Sequence, residues 1–455
     1  MSREEIEQVE KELDEVLEIV QRPVPVKNTG REETVSLQEN LQENDPLQEE
    51  MQIETEKEEK EEKEDSPESA AKEQTAVSEE ELDLEDDIEN GYFHFLRPSD
   101  GLIAAFFVPV AVLIILFAQR GIFPFGEECF LRTDMYHQYA PFFSEFQYKL
   151  KQGGSLLYSW DIGMGVNFSA LYAYYLASPV NWLIILCPKK FIIEFMTILI
   201  MVKTGLCGVT FTWYLDHHFE KKHFVAGVFG IFYALSGYMA AYSWNIMWLD
   251  CIFLLPLILY GLEQLVQEKK GLFYCVTLGL SILSNYYISI MICIFMVMYV
   301  IVQVILYPPK KIKDLVATGV RFGFYSLLAG GLAAVVLLPE IYALQATASG
   351  DFDFPKTISC YFSIFDMIAR HIGNVGTEIG LDHWPNIYCG VAVLMFLLLY
   401  LGAKKITVRE KAVYCGLLLM FYASFSINVL NFIWHGSIIQ TAFHADSPLS
   451  ISPWC

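Results

Sequence analysis

The sequence predicts an all-α polytopic membrane protein, a helical bundle of about nine spans with a long loop after the first of them. Three observations carry this. From residue 91 onward the chain is a series of long apolar runs divided by short charged links. A bilayer core asks for about 20 apolar residues per helix, and these runs meet or approach that length. The net charge of -23 belongs entirely to the first 90 residues, which hold 33 Asp/Glu against 9 Lys/Arg, while the remainder is near neutrality.

Residues 1–90 are rich in Glu, Gln, Lys and Ser and poor in aromatics, a composition that buries too little apolar surface to offset chain ordering. They are expected to form an acidic disordered tail. Within it Ile6, Val9, Leu13, Val16 and Val20 recur at helical spacing and allow one short amphipathic helix before Pro23 and Pro25. A tail of this sign is repelled by anionic lipid. No nucleic-acid partner is expected.

The expected spans are 102–118, 192–214, 224–243, 251–267, 271–287, 288–306, 315–338, 387–402 and 412–433. The apolar segment 171–187 is broken by Pro179 and followed by Pro188, and reads as a re-entrant or interfacial piece. Basic residues in the short links set the orientation. The links 216–223, 268–270, 307–314 and 403–411 together carry eleven Lys/Arg, whereas 244–250 and the turn near Asn285 carry none. The Lys-rich side and the N-terminal tail are therefore expected in the cytoplasm of a multi-pass cell-membrane protein. Loops 119–191 and 339–386 are expected to face outward.

No Walker A motif and no GxGxxG following a strand occurs, which argues against a cytosolic nucleotide-driven enzyme. The ten cysteines are scattered singly, with no CxxC and no metal-ligand spacing. Chemistry concentrates in the first long loop. Arg132, Asp134, Gln138 and Tyr139, then Asp161, Asn167, Tyr174 and Tyr175, lie among Phe, Tyr and Trp beside the expected membrane surface. Such a mixture suits an amphiphile, the aromatics seating a lipid chain or sugar face while acids and amides bind hydroxyls. His137 reads as a surface residue. Lys203 lies inside a span, where charge is costly and often functional, or else pairs with an acid such as Glu194. Asp250 falls at the end of its span on the Asp134 side, as either a helix-terminal acid or a functional one. Tyr174 and Tyr175 suit an interfacial belt as well as a substrate cradle. Glu340 reads as structural.

The order of blocks in this region resembles the bacterial YfhO membrane-protein family over roughly residues 95–436. The blocks are Pro124, Phe125 and Gly126; Asp134 with Gln138, Tyr139, Pro141 and Phe142; the stretch 153–168; and Tyr174 and Tyr175 with Ser178 and Pro179. Lys203 to Gly205, 245–256, Asn285 to Tyr287 and 385–390 continue the pattern. The resemblance implies a GT-C-like fold and glycosyltransferase activity. A sugar would move from a polyprenyl-phosphate donor to a cell-envelope polymer of the teichoic-acid type in a Gram-positive bacterium. It implies a catalytic acid in the first outer loop, the place that Asp134 occupies. Displacing a sugar from a lipid phosphate needs a base at the acceptor hydroxyl, expected to be Asp134, and donors on the departing phosphate, for which Arg132 and Lys203 are candidates. Gln138, Tyr139, Asn167, Tyr174 and Tyr175 would help bind substrate. Asp250 would align the acceptor or help hold a divalent cation; no metal is required by the sequence. Donor lipid, membrane lipid and acceptor polymer are the partners implied. The alternative is a transporter or flippase of lipid-linked glycans.

Residues 437–455 depart from the resemblance. Codons read from the last base of the Gly436 codon are compatible with a family-like FH..N.LP.RFSF continuation, so a frameshift is expected to truncate the chain there, leaving it inactive if acceptor contacts lie beyond.

Overall fold

The computed structural model describes residues 98–220, 224–345, 354–372, 376 and 385–435. The expectations for the acidic tail and for 437–455 lie outside the described residues. What is described is almost entirely helical.

The first span, α1 (Pro98–Gln119), leads into the long loop. The loop holds a π-helical turn Met135–Tyr139, helix α2 (Ala140–Gln152), the hairpin β1 (Tyr158–Ser159) and β2 (Val166–Asn167), and the short α3 (Phe168–Leu171). The strands are antiparallel, Tyr158 facing Asn167 and Ser159 facing Val166. A second π-turn, Tyr172–Leu176, and a 3₁₀ segment, Pro179–Leu186, follow. The bundle resumes with α4 (Ile192–His218), α5 (Phe224–Ala234), α6 (Gly237–Tyr242), α7 (Ile246–Gln267), α8 (Leu272–Ser284) and α9 (Tyr286–Leu306). It closes with α10 (Ile312–Leu332), α11 (Ala334–Gln345), α12 (Ile364–Ala369), α13 (Val391–Gly402), α14 (Val408–Ser426) and α15 (Asn428–Trp434).

Among the described residues six helical segments are long and apolar enough to cross a membrane, Ser99–Gln119, Lys189–His218, Phe224–Tyr242, Ile246–Gln267, Tyr286–Leu306 and Ile312–Leu332. A seventh exists if Phe168–Leu176 and Pro179–Leu186, bent by 102°, count as one broken span. The expected nine is not reached, for local reasons. The run 271–287 is cut at Asn285, whose backbone is extended, leaving α8 with 13 residues. At 1.5 Å per residue that is about 20 Å, short of the roughly 30 Å hydrocarbon core. The run 315–338 does supply one of the six, Ile312–Leu332, which stops short at Ala333. The run 387–402 becomes helical only at Val391, giving 12 residues. The run 412–433 divides at Ile427, and α14 begins with the charged Arg409, Glu410 and Lys411. The bend within 171–187 falls where Pro179 was expected to interrupt it.

Helix α4 packs against α1, α5 and α7, and α7 carries the contacts onward to α8 and α9. Lipid offers no hydrophobic drive for helices to associate, so close backbone approach must supply the contact. A Cβ at Gly208 would overlap the carbonyl of Ala105 on α1, and one at Gly227 would overlap that of Gly101. These glycines let α1, α4 and α5 meet along their backbones. One cluster of buried side chains then unites the loop with the bundle, running from Met135, Phe143 and Phe168 through Leu199 and Ile200 to Trp244 and Leu249. The loop is thus bolted to the bundle by a shared core.

Candidate functional site

Asp134 is presented by a tight backbone feature. Thr133 has φ 48°, in the left-handed region, and turns the chain so that Asp134 opens the π-turn Met135–Tyr139. Met135 and Tyr139 face the core, which anchors the turn, while Asp134 stays half-buried at its start. Its carboxylate makes no helix cap and accepts no hydrogen bond from a described residue. Burial pushes this carboxyl above its ordinary value of 3.8, and neighbouring His137 pulls it partly back. Tyr139, Tyr174 and Tyr175 all sense its charge. A carboxylate desolvated yet unspent, beside phenols that remain protonated, can accept a proton from an incoming hydroxyl.

The surrounding aromatics are held by named bonds. Tyr139 donates its hydroxyl to Asn245 Oδ1 at 2.5 Å and lies parallel to Trp244, with ring centroids 6.2 Å apart. Tyr175 donates to Gln138 Oε1 at 2.7 Å, so these two expected binding residues meet each other. Tyr174 is fixed through its backbone, its carbonyl accepting from the Asn285 amide at 3.0 Å, while its ring leans on Tyr286. Asn285 Oδ1 meanwhile caps α9 by accepting from the Ile288 N–H at 2.9 Å. The break between α8 and α9 is therefore also the clamp on Tyr174.

Lys203 and Asp250 form a buried ion pair at 2.5 Å, linking α4 to α7. Lys203 pairs with Asp250 rather than with Glu194, and also donates to the Ile246 carbonyl at 3.1 Å. The other Asp250 oxygen accepts from Ser178 at 2.7 Å, at the bend of the 168–186 segment. Bend, α4 and α7 are thereby held in one chain of charge-assisted bonds. Arg132 is half-buried and donates Nη1 to the carbonyl of Ala240 at 3.3 Å. Asn167 is exposed at the hairpin end, where its Oδ1 caps α3 through Ala170 N and accepts from Ser169 Oγ at 2.7 Å. His137 is exposed, its ring against Tyr136.

The residues brought together are thus Asp134, Gln138, Tyr139, Tyr174 and Tyr175, with Arg132 at one side and the Lys203–Asp250 pair bracing the bend. Asn167 does its capping apart from them. Sequence reasoning missed Asn245 and Ser178 as the polar partners of Tyr139 and Asp250. Both sit inside blocks that carried the resemblance, but their role depends on contacts 106 and 72 residues apart in the chain. Glu340, read as structural, is buried and accepts the Tyr286 hydroxyl at 2.7 Å. A further buried carboxylate, Glu263, stands at the opposite ends of the helices and takes Tyr214, Tyr299 and His218 as donors. Among the described residues no three His, Cys, Asp or Glu side chains gather as a cation cage.

The profile described as "bacterial membrane protein YfhO" matches residues 104–441, about three quarters of the chain. The chain belongs to the YfhO family. The match spans Asp134, the tyrosine cradle and the Lys203–Asp250 brace, so all of them are part of the YfhO domain. No curated protein and no solved structure matches the chain.

Proposed function

We propose that this YfhO-family membrane protein is a GT-C type glycosyltransferase that moves a sugar from a polyprenyl-phosphate donor to a cell-envelope polymer of the teichoic-acid type. The observation that carries the reading is Asp134: half-buried, raised in pKa by desolvation, free of hydrogen bonds among the described residues and ringed by tyrosines. In the reaction an acceptor hydroxyl oxygen bonds to the anomeric carbon of the donor sugar. The bond from that carbon to the phosphate oxygen breaks, and its electron pair leaves with the lipid phosphate. Asp134 takes the hydroxyl proton, and Arg132 faces the charge left on the phosphate. Gln138 and the tyrosines offer amide and hydroxyl groups beside flat aromatic faces, the chemistry that sugars bind. The Lys203–Asp250 pair is spent on positioning the bend that carries Tyr174 and Tyr175.

In this reading the Asp134 loop faces outward, and the Lys-rich links and the N-terminus face the cytoplasm. The test is a strain lacking the gene, complemented with the wild type or with Asp134→Asn. Wild type should restore the sugar on the envelope polymer, and the variant should not, at equal membrane abundance. Normal decoration by the variant would end the reading. A second reading, a transporter or flippase of lipid-linked glycans, draws on the 102° bend lying beside a buried charge pair. Under it Asp134→Asn would still translocate its cargo, and no purified chain would transfer a sugar.

A further inference from the structure

A cavity of about 230 Å³ opens between α6 and the segment 385–390. Its wall includes Gly237, Ala240, Arg370, Asn386 and Tyr388. The wall is a built one: the Gly237 N–H donates to the Tyr388 carbonyl at 2.5 Å, and a Cβ at Gly237 would press on the Tyr388 backbone 3.1 Å away. Arg370 is half-buried. Its Nε donates to the Pro385 carbonyl at 3.2 Å, and its Nη2 to Gly376 O at 3.0 Å and Asn386 Oδ1 at 3.1 Å. A guanidinium has five N–H groups in a planar fork. Three of Arg370's are engaged, which pins the plane, while Nη1 has no acceptor among the described residues. Arg132 donates to the carbonyl of Ala240, a residue of the same wall, and among the described residues it uses one nitrogen only. Two guanidinium groups therefore border α6 with donors to spare, Arg370 in the cavity wall and Arg132 outside it, two residues along the chain from Asp134; among the described residues no carboxylate lines the cavity.

We propose that this cavity is a phosphate subsite, with Arg370 as its ligand. Planar forks with unspent N–H groups match the oxygens of a phosphate monoester or diester, which they bind by paired, charge-assisted bonds. The inference rests on the transferase reading for its choice of ligand, the phosphate of a lipid-linked sugar. Arg370 then holds the donor's phosphate as the bond to the sugar breaks. Inorganic phosphate shares the chemistry, and the experiment separates the two sources.

The full chain in nanodiscs is titrated by calorimetry with farnesyl phosphate, with inorganic phosphate, and with farnesol as the uncharged control. Farnesyl phosphate should bind, and Arg370→Gln should weaken it about tenfold or more, as expected for losing a charged hydrogen bond of some 1.5–3 kcal/mol. Because Arg370 also holds the 385–390 segment, Ala240→Leu serves as the second variant. It adds bulk to the cavity wall while leaving every backbone bond in place, and should weaken binding at an unchanged melting temperature. Arg370→Lys should recover part of the affinity. Inorganic phosphate binding as tightly as farnesyl phosphate, with the same Arg370 dependence, supports the subsite and assigns it to free phosphate. Variants that bind farnesyl phosphate like wild type, or a loss that farnesol shares equally, would overturn the subsite without touching sugar transfer. Wild type that binds the phosphate but transfers no sugar would sink the transferase reading and leave the subsite standing.

Discussion

At Asp134 the demands of folding and of chemistry oppose each other. Burial favours the protonated carboxyl, whereas a general base must be ionised. The linkage sign follows from the raised pKa. The folded state is favoured at pH below the ordinary aspartate range, and that advantage is lost as pH rises through the raised value. Asp134→Asn removes the cost of ionisation, so its thermal unfolding at pH 7 should occur no lower than that of wild type, while sugar transfer falls by about 10²–10⁴-fold. Transfer by wild type should decline on acidification, with a midpoint above 3.8, and a rate profile against pH checks it. An acid limb at or below that ordinary value would mean that a different group governs the rate. The polar and aromatic residue types of the loop are legible in the chain itself. Their division of labour is not: among the described residues Asp134 is left unbonded, while Asn167, equally polar and in the same loop, is consumed as a helix cap. That difference arises from backbone geometry, which residue type alone does not encode.

At the scale of elements, the bend that carries Tyr174 and Tyr175 is held at two points. The first is the run Ser178, Asp250 and Lys203. Removing one partner strands a buried charge, so Lys203→Met should cost about 3–5 kcal/mol, whereas the paired change Lys203→Met with Asp250→Leu should cost much less. A double-mutant cycle on thermal unfolding in detergent measures this, and simple additivity would show that the two groups act independently. The second point is Asn285. Asn285→Ala removes the cap of α9, worth about 1 kcal/mol, and also frees the Tyr174 carbonyl. A transfer assay should therefore show a larger loss in kcat/KM than the modest drop in stability suggests. Hydropathy located these helices well but counted them badly. Asn285 and Ile427 each interrupt an apolar run, and a sliding reading of apolarity passes over a single extended residue. Pro179, by contrast, announced its bend, because proline's missing N–H and fixed φ act locally.

Across the whole molecule, the ends of α4, α6, α7, α8 and α9 that meet the Asp134 loop form one polar, aromatic face, and Glu263 with its tyrosines marks the other. The proposed sidedness makes a direct prediction. Cys129 is exposed in the loop, so in intact cells a membrane-impermeant maleimide should label a variant that keeps Cys129 alone. Labelling only after the membrane is opened would reverse the topology. Fold class and the family blocks were legible because apolar run length and ordered motifs are properties of the chain itself. Arg370 was not, since only the fold brings it to one cavity with α6 and no periodicity or motif sets it apart. The central claim, that Asp134 serves as the base in transfer from a lipid-linked sugar, is tested most directly in proteoliposomes. Purified chain is supplied with a radiolabelled polyprenyl-phosphate sugar and a teichoic-acid acceptor, and label reaching the polymer is counted. Wild type should transfer label, and Asp134→Asn should lose it with the fold intact; equal transfer by the two would contradict the account.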